Sequence, residues 1–256
     1  MSNFLKFSSP NRKIAFPSFS IPSGYTCPGA SNCLTFVDRI TNKIIDKQKP
    51  DENGETFRCY AASLEVAYSS LRENLRHNES LLKEAKTEKA MTALIIKSLK
   101  ESKWTKALVM GGGALRNHIH GDFFNLNYLS AWMNVAKFFP NIRIYSYTKS
   151  LHLLKKYKDK HGSFPSNYYW TWSKGSKFDK LGPVLGLKSA TIVDDKEQAK
   201  ALGLEVDHDD THALNGTKDF ALEPHGQQPK GSRLAKLLIE KRKAGKFAGY
   251  NNKSKR

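Results

Sequence analysis

Residues 115–150 read LRNHIHGDFFNLNYLSAWMNVAKFFPNIRIYSYTKS, and the fold follows from this stretch. The run 115–120 suits a short strand, and Gly121, Asp122 and Phe123 form the turn that leaves it. Leu129, Trp132, Met133 and Ala136 recur at helical spacing, so one apolar face lies on a helix that Pro140 and Asn141 break. The run 142–147 is the clearest strand in the chain, because Ile142, Ile144 and the tyrosines favour a pleated, half-buried surface. It ends in Thr148, Lys149 and Ser150. The stretch is therefore one β/α/β unit with polar groups at both strand ends.

Working outward, a helix over about 151–160 precedes strands expected at 168–172, 190–193 and 219–223. Strands alternating with helices predict an α/β fold with a mostly parallel sheet, arranged as a partial or irregular β/α barrel. On the amino-terminal side, the stripe Met91, Leu94, Ile95 and Leu99 predicts one core helix, and Leu64, Tyr68, Leu71 and Leu75 predict another. Residues 1–25 are rich in Ser, Pro and aromatics and read as an irregular or short-stranded lead-in to Cys27. Weak alternation and a turn at 50–54 predict a hairpin insertion over 34–58, with arms at 35–45 and 56–60. One domain covering 1–229 is expected, with a basic helix started by Ser232 and a tail over 230–256.

The 256 residues suffice for a core that needs no metal or disulfide support. With 42 Lys and Arg against 24 Asp and Glu, the formal charge is +18, which points to nucleic acid or another polyanion as partner. From Lys230 onward there are ten basic residues and one acidic residue, either a phosphate-contacting tail or a solvated terminus. No apolar run reaches membrane-spanning length and no signal-peptide core is present, so a soluble, cytoplasmic protein without membrane contact is expected. Composition leaves the oligomeric state open.

Cys27, Cys33 and Cys59 cannot all pair with one another, which argues against a secreted disulfide framework. Thiolates donate charge and polarizable sulfur to soft or borderline metals, and three of them leave a position on zinc or on one cluster iron open to another partner. Isolated core thiols are the alternative. Asp122 and Lys149, at strand ends, can meet a ligand amine and an anion, while Arg116 can clamp a negative group. His118 and His120, two apart, face one side if both lie on a strand. The run 207–212, DHDDTH, reads as a solvated acidic loop or a hard-metal site. Tyr145, Tyr147, Trp170 and Trp172 either pack in the core or stack bases, with Lys149 and Lys174 on phosphates.

Cys27-Pro28-Gly29-Ala30 with Cys33, Cys59-Tyr60-Ala61, Arg116 and His118 before Gly121-Asp122-Phe123, Tyr128 with Ala131-Trp132, Tyr147-Thr148-Lys149-Ser150, and His225-Gly226 with Gln228-Pro229 together resemble the bacteriophage and plasmid family of gene product 88-like proteins. That resemblance covers nearly the whole chain, and for a phage-encoded protein it implies the host cytoplasm. At greater distance the order of these motifs is similar to that of radical S-adenosylmethionine enzymes. This second likeness implies a [4Fe–4S] cluster on Cys27, Cys33 and Cys59. It also implies S-adenosylmethionine contacts at Gly121, Asp122 and Lys149, with Arg116, His118, His120 and His225 toward substrate. The gap between Cys27 and Cys33 is wider than is usual in those enzymes, and Cys59 comes late.

The function expected from these observations is a radical S-adenosylmethionine-like iron–sulfur protein that modifies nucleic acid or a nucleotide, with no residue assigned to catalysis. One alternative is a non-enzymatic nucleic-acid-binding protein with a structural zinc site. Another is a metal-dependent nuclease using His118, His120 and Asp122 or the 207–212 run.

Overall fold

A computed structural model of the chain describes residues 3–11, 13–50 and 54–249. The lead-in carries two short strands, β1 (Phe7–Ser8) and β2 (Ser18–Phe19). A hairpin of β3 (Thr35–Val37) and β4 (Ile44–Asp46) follows, then the helices α1 (Tyr60–Ala67), α2 (Ser69–Ala85), α3 (Glu88–Glu101) and α4 (Lys106–Gly111). The central unit is β5 (Gly113–Asn117), α5 (Leu126–Phe138) and β6 (Ile142–Thr148). Beyond it lie α6 (Leu151–His161), β7 (Tyr168–Ser173), α7 (Leu181–Leu185), β8 (Lys188–Ile192) and α8 (Lys196–Ala201). The chain then forms β9 (Glu205–Val206), α9 (Thr211–Asn215), β10 (Phe220–Leu222) and α10 (Arg233–Lys243).

Eight strands form one sheet in the order β1-β2-β5-β6-β7-β8-β10-β9. Among the described residues of this sheet, the β1–β2 pairing is antiparallel and every other neighbour runs parallel. Among the described residues no pairing joins β1 to β9, so the order is open at both ends. Alternation along the strands sorts the two faces. Leu115, Ile142 and Ile144 pack with α3, α5 and α6 in the main core, while Ala114, Tyr145 and Phe220 form a smaller cluster with Ala213 and Leu214 of α9. On α5, Tyr128, Leu129, Trp132, Met133 and Val135 are fully buried, each large apolar side chain contributing about 1.5–3 kcal/mol. The Asn125 side chain caps this helix by accepting from the Tyr128 amide at 2.9 Å.

Several expectations need correction. The strand at 115–120 starts earlier and stops at Asn117, because His118 takes a left-handed φ of 68° and turns the chain out of the sheet; His118 and His120 therefore do not share a strand face. The hairpin lies wholly within 35–46, and 56–59 is irregular chain leading into α1; part of the expected 50–54 turn falls on residues 51–53, outside the described residues. The stripe Leu64, Tyr68, Leu71 and Leu75 is split between two helices. Tyr68 is extended and exposed at their junction, Leu64 is exposed, and Arg72 donates to the freed Glu65 carbonyl at 2.6 Å. The basic helix at the carboxyl end is docked rather than solvated, burying Leu234, Leu238 and Lys241. Residues 250–256 of the tail lie outside the described residues.

Candidate functional site

Every parallel strand reaches its carboxyl end on the same side of the sheet, the usual position for ligands in α/β folds. A cavity of ≈ 190 Å³ opens there. Its wall includes Cys27, Cys33, Cys59, Arg116, His118, Gly121, Asp122, Lys149 and His225. Nine of the ten residues singled out from the sequence thus meet in one place. His120 is the exception: it is buried to one side, with Nδ1 3.6 Å from Glu65 and its ring edge-on to Tyr60.

One half of the cavity is sulfur-lined. The 27–33 loop is shaped by its own backbone, with Cys27 N donating to the Gly24 carbonyl at 3.0 Å and Ala30 N to the Cys27 carbonyl at 3.1 Å. Gly29 packs directly on the chain leaving β6, where any Cβ would meet the Lys149 carbonyl. Lys177 N donates to the Gly29 carbonyl at 2.9 Å, tying the same loop to the chain after β7. Cys59 stands at the start of α1 with its amide on Thr35 Oγ1 at 3.2 Å, so the β3–β4 hairpin fixes its distance from Cys33. All three thiols are free and half-buried, and burial pushes them up, Cys59 to about 12. Among the described residues, no three His, Cys, Asp or Glu side chains are gathered tightly enough to form a metal cage. In kind, the donors suit a thiolate-ligated centre, because three free cysteines line one cavity.

Asp122 crosses from β5 to β6. Its carboxylate accepts from Thr148 Oγ1 at 2.8 Å, Lys149 N at 2.9 Å and Phe123 N at 2.7 Å. Burial nonetheless raises its carboxyl above the ordinary range. Gly121 is required in front of it: φ is 78°, and a Cβ would approach Ile21 and Thr26 within 2.6 Å. Lys149 is buried, with Nζ donating to the carbonyls of Ser173, at 2.9 Å, and Lys174. Its charge is thus met by backbone dipoles at the end of β7.

The other half is an ionic and aromatic wall that local sequence patterns do not show. Arg116 pairs with Asp210, and the Tyr145 and Tyr147 hydroxyls donate to the same carboxylate at 3.1 and 3.4 Å. The guanidinium lies 4.9 Å from the centre of the Tyr147 ring. Burial opposes the Arg116 charge, but the Asp210 carboxylate outweighs it and holds the group above its ordinary range. Lys13 lies 4.0 Å from Asp210, and burial lowers its amine to about 8. These tyrosines are therefore anchored to Asp210 rather than open for base stacking. Trp170 is buried and Trp172 Nε1 is held by Asp179 at 2.7 Å.

The expected solvated loop at 207–212 contains buried Asp207 and Asp210, both on the cavity wall; its His212 turns away to Glu205 at 2.8 Å. His118 shares a 2.8 Å hydrogen bond with the Tyr128 hydroxyl through Nε2, while its buried Nδ1 has no hydrogen-bond partner among the described residues. His225 lies tilted against Tyr60 with ring centres 4.7 Å apart, and Gln228 brackets Arg58 by accepting from its amide at 2.9 Å and donating to its carbonyl at 3.2 Å. The late motif thereby closes over the Cys59 segment. Its one sequence signal is the pairing of Cys-Tyr-Ala with the distant His-Gly-x-Gln-Pro.

The family model described as Gene product 88 matches residues 4–248. Among curated proteins, the chain is 31% identical over 137 residues to the Gene 88 protein of Mycobacterium phage L5, covering 52% of this chain and 47% of that one. Against the Gene 88 protein of Mycobacterium phage D29 it is 30% identical over 140 residues, with the same two shares. The match thus spans about half the length of the curated relatives. No solved structure matches the chain.

Proposed function

The chain belongs to the Gene product 88 family, and from its cavity we propose an iron–sulfur protein of the radical S-adenosylmethionine kind that acts on nucleic acid or a nucleotide. The observation that carries this reading is that Cys27, Cys33 and Cys59 line the same cavity as Gly121, Asp122 and Lys149, at the carboxyl ends of parallel strands. The mostly parallel eight-stranded sheet suits the partial β/α barrel expected of such a protein.

Cys27, Cys33 and Cys59 would hold the cluster, and the wall at Gly121, Asp122 and Lys149 would meet S-adenosylmethionine. Together these groups supply one-electron chemistry that removes a hydrogen atom from a substrate. The chain's own contributions are separable. The hairpin and the Gly29 contact position the sulfurs, and the Asp122 hydrogen bonds hold the β5 and β6 ends in register. The Arg116–Asp210 wall presents a buried, oriented guanidinium to the far half of the cavity. A formal charge of +18 favours a phosphate-bearing substrate.

The test is iron, zinc and acid-labile sulfide per chain after anaerobic reconstitution, beside a Cys27→Ala/Cys33→Ala/Cys59→Ala variant. About four iron and four sulfide, absent from the variant, support the reading. About one zinc without sulfide replaces it with a structural thiolate site. Neither metal returns the cysteines to the protein core and removes the proposal.

A further inference from the structure

At the opposite end of the sheet from the cavity, α4 runs into the start of β5 and the last residue of α5 lies just before β6. Three large apolar side chains stand out around the α3–α4 turn, α4 and the end of α5: Trp104 is 40% exposed, Met110 82% and Phe138 54%. Around them Lys97, Lys100, Lys103, Lys106 and Lys137 are all exposed, and Glu101 is the sole acidic residue between 97 and 110. Lysine ammonium groups lie over the aromatic rings, Lys100 5.3 Å from the Phe138 centroid and Lys103 4.7 Å from that of Trp104. Lys97 does the same over Phe4 at 4.8 Å.

The platform is held from beneath. Thr105 is buried and its hydroxyl donates to the Leu99 carbonyl at 2.6 Å, while Trp104 N donates to Ser102 Oγ at 3.3 Å. These bonds fix the turn that presents Trp104. Beside it a groove of ≈ 310 Å³ is lined by Phe4, Lys6, Phe7, Asn74, Lys103 and Trp104, among others.

We propose that this lysine and aromatic face binds single-stranded nucleic acid, with bases on Trp104 and Phe138 and phosphates on the surrounding lysines. A lysine over a ring occupies the surface on which a base stacks. When a phosphate draws the ammonium aside, the ring face becomes free for the base, so one pair of side chains serves both parts of a nucleotide. Five lysines against one glutamate supply the charge complementarity. An acidic protein would use the lysines and leave the rings without a role. A membrane surface needs a longer apolar helix face than α4 offers, since Leu108 and Val109 of that six-residue helix pack inward on the core. The proposal rests on this face alone and is independent of the cysteine cavity.

The test uses the full chain and an oligothymidylate of about twelve nucleotides, a length within ordinary single-strand site sizes. Trp104 reports binding directly, because Trp132 and Trp170 are buried at 0% and 7% exposure and Trp172 is only partly exposed. Expected are quenched tryptophan emission, roughly tenfold weaker binding for Trp104→Ala (followed by anisotropy of labelled oligonucleotide) and for Phe138→Ala, and a salt slope lowered by about 1.4 in Lys100→Gln/Lys103→Gln. All four substitutions are at exposed positions, and circular dichroism checks that the variants stay folded. Unchanged oligothymidylate binding in these variants, with loss on replacing the lysines and arginines of 230–246, assigns binding to the carboxyl-terminal helix and overturns the proposal. Equal affinity for a duplex of the same length, or binding to polyglutamate or anionic phosphatidylserine vesicles without binding to oligothymidylate, also overturns it.

Discussion

Gly29 lies against the backbone of Lys149 so closely that a Cβ on Gly29 would come within 1.9 Å of the Lys149 carbonyl oxygen. The cysteine loop and the end of β6 are therefore in main-chain contact, and the distance of Cys27 and Cys33 from the parallel strands depends on the absence of a side chain there. Gly29→Ala should push the loop outward and lower stability by about 1–3 kcal/mol, the usual cost of overpacking. It should also reduce metal uptake by the reconstituted protein. Thermal unfolding and metal analysis measure the two effects; full metal content at unchanged stability would show that the contact does not set the sulfur positions.

Asp122 separates a bracing role from a ligand-binding one. Removing its side chain strands the Thr148 hydroxyl and two buried amides, so Asp122→Ala should cost about 3 kcal/mol or more. Asp122→Asn keeps one acceptor oxygen for Thr148 Oγ1 and Phe123 N but turns an amide NH2 toward the Lys149 amide, so it should cost less than Asp122→Ala while losing that third bond. If the carboxylate also meets S-adenosylmethionine, the Asn variant stays folded and loses binding of that molecule in equilibrium dialysis. Equal binding by wild type and Asp122→Asn would leave Asp122 as a brace alone.

What was legible in the sequence was local. The period of α5, the β propensity of β6 and the Ser232 cap each involve residues within a few positions of one another, and each is present in the structure. The candidate residues at strand ends were also readable, because glycine, acid and hydroxyl clusters mark turns. The ionic wall was not, since Arg116 and Asp210 are 94 residues apart and the 207–212 run has the composition of a solvated loop. Nor was the exit of His118 from the sheet: its left-handed φ of 68° ends the strand, whereas alternation alone continues it. Two-residue strands such as β1, β2 and β9 are too short to carry any period.

The Arg116–Asp210 pair has both partners buried, so losing Arg116 leaves the Asp210 carboxylate to the more distant Lys13 at 4.0 Å. Arg116→Met should destabilise by about 3–5 kcal/mol, and Arg116→Met/Asp210→Asn should recover much of that loss. Urea unfolding of both variants completes the comparison. Equal losses in the single and double variants would mean that packing against Tyr147, rather than charge, makes Arg116 important.

Burial, reinforced by the Arg116 charge, lowers the His118 ring from 6.5 to about 3. Above pH 6.5 the ring is neutral in both folded and unfolded chains, and the stability it contributes is complete. Between pH 6.5 and 3 the unfolded chain takes up a proton that the folded chain refuses, so stability falls as pH falls, with a limiting slope of about 1.4 kcal/mol per pH unit. Comparing urea unfolding at about pH 7.5 and pH 5, His118→Gln should lose up to about 2 kcal/mol less than wild type on acidification. Parallel pH dependences in the two proteins would show that His118 is not the linked group.

Lys241 is the hinge pin of the carboxyl-terminal helix. It comes from a segment whose composition suggests a solvated tail, yet its ammonium is buried against Glu223 at 2.6 Å and also donates to the Asp194 carbonyl. Glu223 lies just beyond β10 and lines the cavity, so the docking of α10 and the shape of the cavity share one ion pair. Glu223→Gln removes the charge that justifies burying Lys241, at a cost of about 3–5 kcal/mol for a broken buried pair. Much of that cost can be relieved if α10 detaches and Lys241 returns to water. Trypsin should therefore cleave the variant after Arg233, Lys236 or Lys241 well before it cuts within α5 or α6, whereas wild type resists at all of these positions. Equal resistance of wild type and variant would show that the apolar contacts of Leu234 and Leu238 hold the helix without the pair.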